Sequence, residues 1–302
     1  MRYYAAIVIT IMLYSTVEVV SKFVTHVDPN LLAFLRFFPA GVIILAIGRK
    51  QFRRVSVRDA AGLAALGLIG VTFTFAAYHE GLTLEHLKAS TAATIFSVNP
   101  VFTSLAAVFL LGERLTGRRL AGVLLGVAGI YVVGFGFEPV RFATAKGPLL
   151  MAAAQVTFGI YVAGGKKYVA CYGPFFVNGV IFVVGSIFFL PMISEWSVAG
   201  MSAPTVLWVV YLSLFATGLA YVLYLYGLNE VPTAAGTSIF YLKPVLASIL
   251  AVLALGETLR LHFFLGLAVI FGSLTLTLRR GGAQPTPPEP AEDQHPVGAR
   301  DA

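Results

Sequence analysis

Apolar residues in this chain run in long, uniform stretches, and charges and turn-forming residues cut between them. Ten such segments are legible, at roughly 3–24, 30–48, 59–79, 87–111, 116–136, 147–167, 174–193, 204–227, 233–255 and 259–278. Each approaches the ~20 residues that a helix needs to cross a hydrocarbon core of ~30 Å. Membrane β-strands would instead alternate apolar and polar positions over about ten residues. The pattern therefore predicts an all-α integral membrane protein with ten transmembrane helices. Glycines interrupt several segments, which membrane helices tolerate where neighbouring helices pack closely.

The pattern also repeats. Shifted by 144 positions, Ala89–Val101 overlays Thr233–Val245, with Ile95/Ile239, Phe96/Phe240, Pro100/Pro244 and Val101/Val245 in common. The same offset pairs Gly112-Glu113 with Gly256-Glu257, and Gly122 with Gly266. Two repeats of five helices are expected, over residues 1–137 and 145–280, followed by a disordered cytoplasmic tail at 281–302 that is rich in proline, glycine and charge. With the N-terminus inside, thirteen Lys and Arg fall in the cytoplasmic turns and five in the opposite ones. That bias puts both termini in the cytoplasm. Five spans per repeat is an odd number, so the second repeat is expected to enter the bilayer inverted. The first span is read as retained rather than cleaved, because Glu18 and Lys22 close it where a signal peptide would carry a small-residue cleavage site.

Composition narrows the partners. Of 302 residues 58% are hydrophobic and 12% charged, against roughly 25% charged in soluble domains. The net charge of +7 gathers beside apolar spans, which suits lipid headgroups and not nucleic acid. A lone cysteine, Cys171, excludes an internal disulfide and a cysteine metal cluster. The histidines (His26, His79, His86, His262 and His295) lack metal-pair spacing. No phosphate-cradling Gly-rich loop with its Lys is present. No cofactor or metal is expected.

The paired elements Asn99-Pro100-Val101 … Leu111-Gly112-Glu113 … Gly122 and Lys243-Pro244-Val245 … Leu255-Gly256-Glu257 … Gly266, with Lys22 and Arg36, resemble those of the drug/metabolite transporter superfamily, specifically its EamA type with ten spans. The resemblance covers residues 3–278. It implies movement of small organic solutes, often export of amino acids, metabolites or toxic compounds. One departure is that many members carry a Trp in the first span where this chain has Tyr14-Ser15.

Ionisable residues inside spans are the sharpest functional candidates, because a charge at the bilayer centre costs at least ~2.5–3.5 kcal/mol and so faces a partner or a wet cavity. Glu18 has two readings: an ion pair with Lys22 one turn on, or a carboxylate that binds a proton or a cationic group. Arg36 either snorkels to the interface or grips a substrate carboxylate with its planar fork. Lys243 needs a carboxylate, a carbonyl or solute as partner. His79 is either a satisfied interfacial residue or a proton switch. Tyr78, with Tyr221, Tyr224, Tyr226 and Trp208, fits an interfacial aromatic belt or, with Phe96, Tyr161 and Tyr241, the wall of an amphipathic cavity.

Other features read as structural or stay open. Pro100 and Pro244 should kink spans four and nine, as hinges or as plain packing. Ser90, Thr94 and Ser97 share one face of span four, and Thr237, Tyr241 and Ser248 trace a similar stripe on span nine. Either stripe serves a cavity or helix packing. Glu113 and Glu257 are expected to accept hydrogen bonds from the free amides of the helix that follows each. Gly122, Gly126 and Gly129 give span five a small-residue face for contact within a monomer or a homodimer.

The expectation is a secondary transporter in the cell inner (plasma) membrane, working by alternating access on small organic metabolites and acting as an exporter. Its cavity would be lined by spans one, three, four, six, eight and nine. Protons are a candidate coupling ion. The alternatives are a membrane-embedded enzyme acting on lipid or isoprenoid substrates, which would need converging acidic or histidine residues, and a non-transporting sensor or scaffold.

Overall fold

A computed structural model describes residues 2–49, 55–84, 87–112, 116–135, 142–196, 201–224 and 242–278. Tyr241, Glu113, the first part of the ninth segment and the tail at 281–302, each the subject of an expectation above, lie outside the described residues.

The helices in chain order are α1 (Arg2–Phe23), α2 (Pro29–Gly48), α3 (Val57–Thr83), α4 (Ala89–Phe96), α5 (Asn99–Leu111), α6 (Gly117–Phe135), α7 (Phe142–Tyr172), α8 (Pro174–Ile187), α9 (Ala203–Tyr224), α10 (Leu242–Leu255) and α11 (Leu261–Leu278). No strand occurs among the described residues. All ten apolar segments carry helix, with α4 and α5 sharing the fourth. Seven stretches are long and apolar enough to cross a membrane: those of α1, α2, α3 and α9, Ala89–Leu110, Ala145–Val169 and Pro174–Met192. Leu120–Phe135, Leu242–Leu255 and Leu261–Leu276 are apolar but shorter. Phe109, Leu124, Leu207 and Leu253 are each more than 60% exposed, an outward apolar surface that suits lipid and not water.

Local chemistry sets the helix ends. Asp28 caps α2, its Oδ1 accepting from the amides of Asn30 and Leu31 at 2.9 Å each. Pro29 follows in the first turn, where a missing N–H is harmless. α5 and α10 end on Gly112 and Gly256, at φ +66° and +65°, a left-handed conformation that glycine adopts without a Cβ clash. Both glycines were legible as span ends, and they fall at equivalent places in the two halves.

The helices pair in a regular way. α2 packs on α8 and α6 on α11, each against the helix that the 144-residue offset assigns to it, while α4 packs on α10, the offset counterpart of α5. α1 meets α9 and α10, while α7 meets α3 and α5. The glycine face of α6 packs on α11 inside the chain. A Cβ on Gly266 would stand 2.8 Å from the Val133 backbone nitrogen and 3.2 Å from the Gly129 carbonyl oxygen. Beside this crossing Ser273 donates to the Gly122 carbonyl at 2.7 Å.

Three irregularities interrupt the α-helices: one break and two π-helical segments. Ser97 and Val98 interrupt helix between α4 and α5, and Pro100 stands in the first turn of α5. The first-half proline thus begins a new helix after a break, where a kink inside one helix was expected. Pro244 lies in the first turn of α10 as described, its carbonyl accepting from the Ser248 hydroxyl at 2.6 Å. Finally, α3 and α9 each contain a π-helical segment, Leu68–Phe73 and Leu214–Leu219. Such wide turns hold one surplus residue and recur at functional sites.

Candidate functional site

Five of the sequence candidates converge in the interior. Glu18, Arg36, Tyr78, His79 and Lys243 are between 1% and 4% exposed. Glu18 sits on α1 and Lys243 on α10, and their carboxylate and ammonium meet at 2.9 Å. The expected partner Lys22 is engaged elsewhere, donating to the carbonyls of Leu82 at 2.7 Å and Leu84 at 3.2 Å. Free carbonyls at the end of α3 attract a cation there, which leaves Glu18 for the distant lysine. The Lys243 ammonium also lies 4.5 Å from the centre of the Phe96 ring, a cation–π contact.

Around this pair the polar groups are incompletely satisfied. The second Glu18 oxygen and the Ser21 hydroxyl are buried beside the Tyr78 hydroxyl, within its reach, and none of the three has a partner elsewhere. His79 Nε2 and both side-chain polar atoms of Gln155 are likewise buried without partners. Arg36, on α2, donates through Nε to the Thr217 hydroxyl at 2.6 Å. Its guanidinium carbon is 5.2 Å from the Phe37 ring centre and 5.2 Å from that of Phe75. Arg36 therefore points into the bundle, not out to the interface. Buried polar atoms without partners are uncommon in folded proteins, and those of Glu18, Ser21, Arg36, Tyr78 and His79 lie near one another.

Aromatic rings wall this region. Tyr78 meets Phe75 at 5.7 Å and Phe96 at 5.3 Å, both edge to face, and Phe158 meets Phe96 at 5.6 Å and Tyr161 at 5.4 Å. Tyr161 donates from its hydroxyl to the Asn178 side-chain oxygen. Tyr221 packs against Tyr14 at 5.4 Å and Phe182 at 4.9 Å. Tyr78 and Tyr221 thus belong to the interior, whereas Trp208 is 38% exposed and stacks on Phe23 at 5.4 Å, as an interfacial aromatic would. A separate groove of about 270 Å³ between α10 and α11, lined by Val245, Ile249, Val252, Leu253 and Phe264, is apolar and has no share in this polar centre.

Glu257 takes an unexpected partner. Its carboxylate accepts from the Ala89 amide at 2.6 Å and the Ser90 amide at 3.2 Å, and from the Ser90 hydroxyl. It caps α4, across the bundle, and not the α11 that follows it in the chain. Lys88 reaches back to the Thr258 carbonyl, so the two segments clasp each other.

Sequence reasoning passed over Gln155, Thr217, Phe75 and Phe158. Gln155 was discoverable, since it is a lone amide in the apolar run 148–163 and the argument applied to intramembrane charges extends to it. Nothing local marked Thr217, whose role depends on Arg36 from another helix.

A multi-pass helical membrane protein with polar groups buried at its centre is the architecture of a membrane transporter. The family model of the EamA-like transporter family matches residues 1–135 and again 145–279, and the chain belongs to that family. Among its relatives is an uncharacterised transporter of Clostridium kluyveri, 26% identical, with 90% of this chain and 91% of the relative aligned. A second, from Streptantibioticus cattleyicolor, is described as a probable terminal-alkyne amino-acid exporter; it is 29% identical over 71% of this chain and 72% of its own. YetK of Bacillus subtilis, also an uncharacterised transporter, is 26% identical over 87% of this chain and 82% of its own. A solved crystal structure superposes with a TM-score of 0.65 at 22% identity, covering 91% of this chain and 94% of that one, which establishes the fold alone. These relationships are those of a transporter and give the enzyme reading no support.

Proposed function

We propose that this chain is a secondary transporter that moves small organic metabolites outward across a cell inner membrane, with both termini in the cytoplasm. Ten spans form two inverted five-helix repeats that rock against each other around a central site. The observation that carries the proposal is the Glu18–Lys243 ion pair, buried between α1 of the first half and α10 of the second. A charge pair at such depth is expensive, and it lies where motion of one half against the other would make and break it. The pairing of helices across the 144-residue offset supports the two-repeat reading. The Streptantibioticus relative's description supports export and makes amino acids the first solutes to try.

In this mechanism Glu18 and His79 hold the coupling proton or a cationic group of the solute, and Lys243 locks α1 to α10 in the pair's closed state. Arg36 anchors an anionic group, while Tyr78, Phe96, Tyr161 and Tyr241 contact the apolar body. Pro100, at the break between α4 and α5, and Pro244 serve as hinges. The chain acts as a monomer or a homodimer.

The test is flux of labelled amino acids, nucleosides and lipophilic cations in proteoliposomes, with and without a pH gradient. Solute-dependent flux above empty liposomes is expected, and its absence for every solute overturns the proposal. Glu18→Gln combined with His79→Ala should abolish the response to the pH gradient; an unchanged response removes both from the mechanism. For topology, Arg118→Cys and Arg260→Cys in a Cys171→Ser background should label from opposite faces. Labelling from one face ends the inverted arrangement.

A further inference from the structure

Building on the transport reading, we infer that Arg36 is the solute's anchor and that the solute carries a single carboxylate on an apolar body. The argument begins with charge. Glu18 and Lys243 neutralise each other at 2.9 Å. Arg36 is 3% exposed and forms no ion pair among the described residues. Among the described residues the centre therefore holds one uncompensated positive charge, at a depth where an unpaired ion is strongly disfavoured. Two ring faces at 5.2 Å return part of that cost as cation–π attraction. A carboxylate would return the rest.

The geometry of the guanidinium supports the same class. Thr217 takes the Nε hydrogen at 2.6 Å, which fixes the plane of the fork. Nη1 is buried and has no partner, so the terminal edge retains donors for a planar anion. His79 offers a second unpartnered buried nitrogen, Nε2, and its ring lies 6.2 Å from that of Phe75, the ring that also flanks Arg36. One positive charge matches a monoanion, whereas a phosphate dianion would leave the site overcharged. The edge-to-face rings of Phe75, Tyr78, Phe96 and Phe158 then favour an aliphatic or aromatic body over a polar one.

The experiment uses the full chain in proteoliposomes with matched pairs of labelled acids and their amides, among them phenylalanine with phenylalaninamide, leucine with leucinamide, and 3-phenylpropionate with its amide. The same compounds are titrated against the detergent-solubilised protein to read melting-temperature shifts. The wild type should carry and bind at least one acid at least tenfold better than its amide. Arg36→Gln should abolish that preference, and Arg36→Lys should restore part of it. The wild-type comparison stands even if Arg36→Gln does not fold. Equal handling of acid and amide by the wild type, retention of the preference in Arg36→Gln, or no acid carried or bound each overturns the inference. Flux of amides or amines without acids would leave the transporter reading intact while removing this one, so the two failures are distinguishable.

Discussion

Lys243 reaches across 225 residues of sequence to Glu18 at 2.9 Å, bypassing the lysine that stands one turn from that glutamate. Removing either partner leaves a buried, unpaired charge, which costs about 3–5 kcal/mol. Lys243→Met should therefore lower the melting temperature of the solubilised protein sharply. The double variant Glu18→Gln/Lys243→Met should lose less than the sum of its singles, with a coupling of roughly 0.5–3 kcal/mol. Strict additivity would mean that the pair contributes nothing.

Glu257 should act as a cap that comes from outside the helix it caps. Losing a helix cap costs about 1 kcal/mol, and Glu257→Ala removes acceptors from two amides at once. Hydrogen exchange should accelerate at the amides of Ala89 and Ser90 and leave those of α2 unchanged. Uniform acceleration across the bundle would contradict a local cap.

The α6–α11 crossing should tolerate no added methyl. Gly266→Ala would drive a Cβ to 2.5 Å from the Val133 Cγ2 atom and 2.8 Å from the Val133 nitrogen, and such overpacking costs typically 1–3 kcal/mol. Gly165→Ala on α7 is the control: nothing lies within 4 Å of its Cβ position, and alanine is the better helix former. Thermal melting should separate the two, with Gly266→Ala well below wild type and Gly165→Ala at or above it.

Asp28 should confer a stability that acid removes. Partial burial pushes its carboxyl upward, but hydrogen bonds from the Ser194 side chain and from the amides of Leu31, Ser194 and Asn30 outweigh that and hold it below its ordinary value of 3.8. Because the folded value is the lower one, the contribution is present in full above the unfolded value and is lost as pH falls below about 4 through the folded one. Melting curves of wild type and Asp28→Asn should differ at pH 7 and converge toward pH 3. A gap that persists in acid would show that charge is not involved.

The fold was legible wherever one physical signal dominated. Uniform apolar runs placed the helices, because lipid leaves few other ways to satisfy a backbone, and Gly112 and Gly256 marked two helix ends because few other residues accept a positive φ. The depth of Lys243 was legible from its apolar run, whereas Glu18 and Arg36, near the ends of theirs, read equally as interfacial, and only the packing buries all three. Their partners were another matter. The i, i+4 rule nominated Lys22 for Glu18, but the carbonyl end of α3 offered Lys22 a competing site that depends on tertiary packing. Glu257 was assigned to the helix it precedes, although α4 is brought nearer by the pairing of α4 with α10. Tyr78 and Trp208 looked alike as aromatics near segment ends, and only their helices' rotation separates the buried one from the lipid-facing one.

That rotation has a specific origin in α3. A surplus residue at Leu68–Phe73 sets every later position back by about 100° around the axis relative to an uninterrupted α-helix. Tyr78 and His79 follow it in sequence and owe their inward aim to that one extra step. Excising the surplus residue would let the turn close to ordinary α-helix and keep both side chains on their present face, whereas forcing the full-length segment into α-helix would swing both around the axis and dismantle the polar centre.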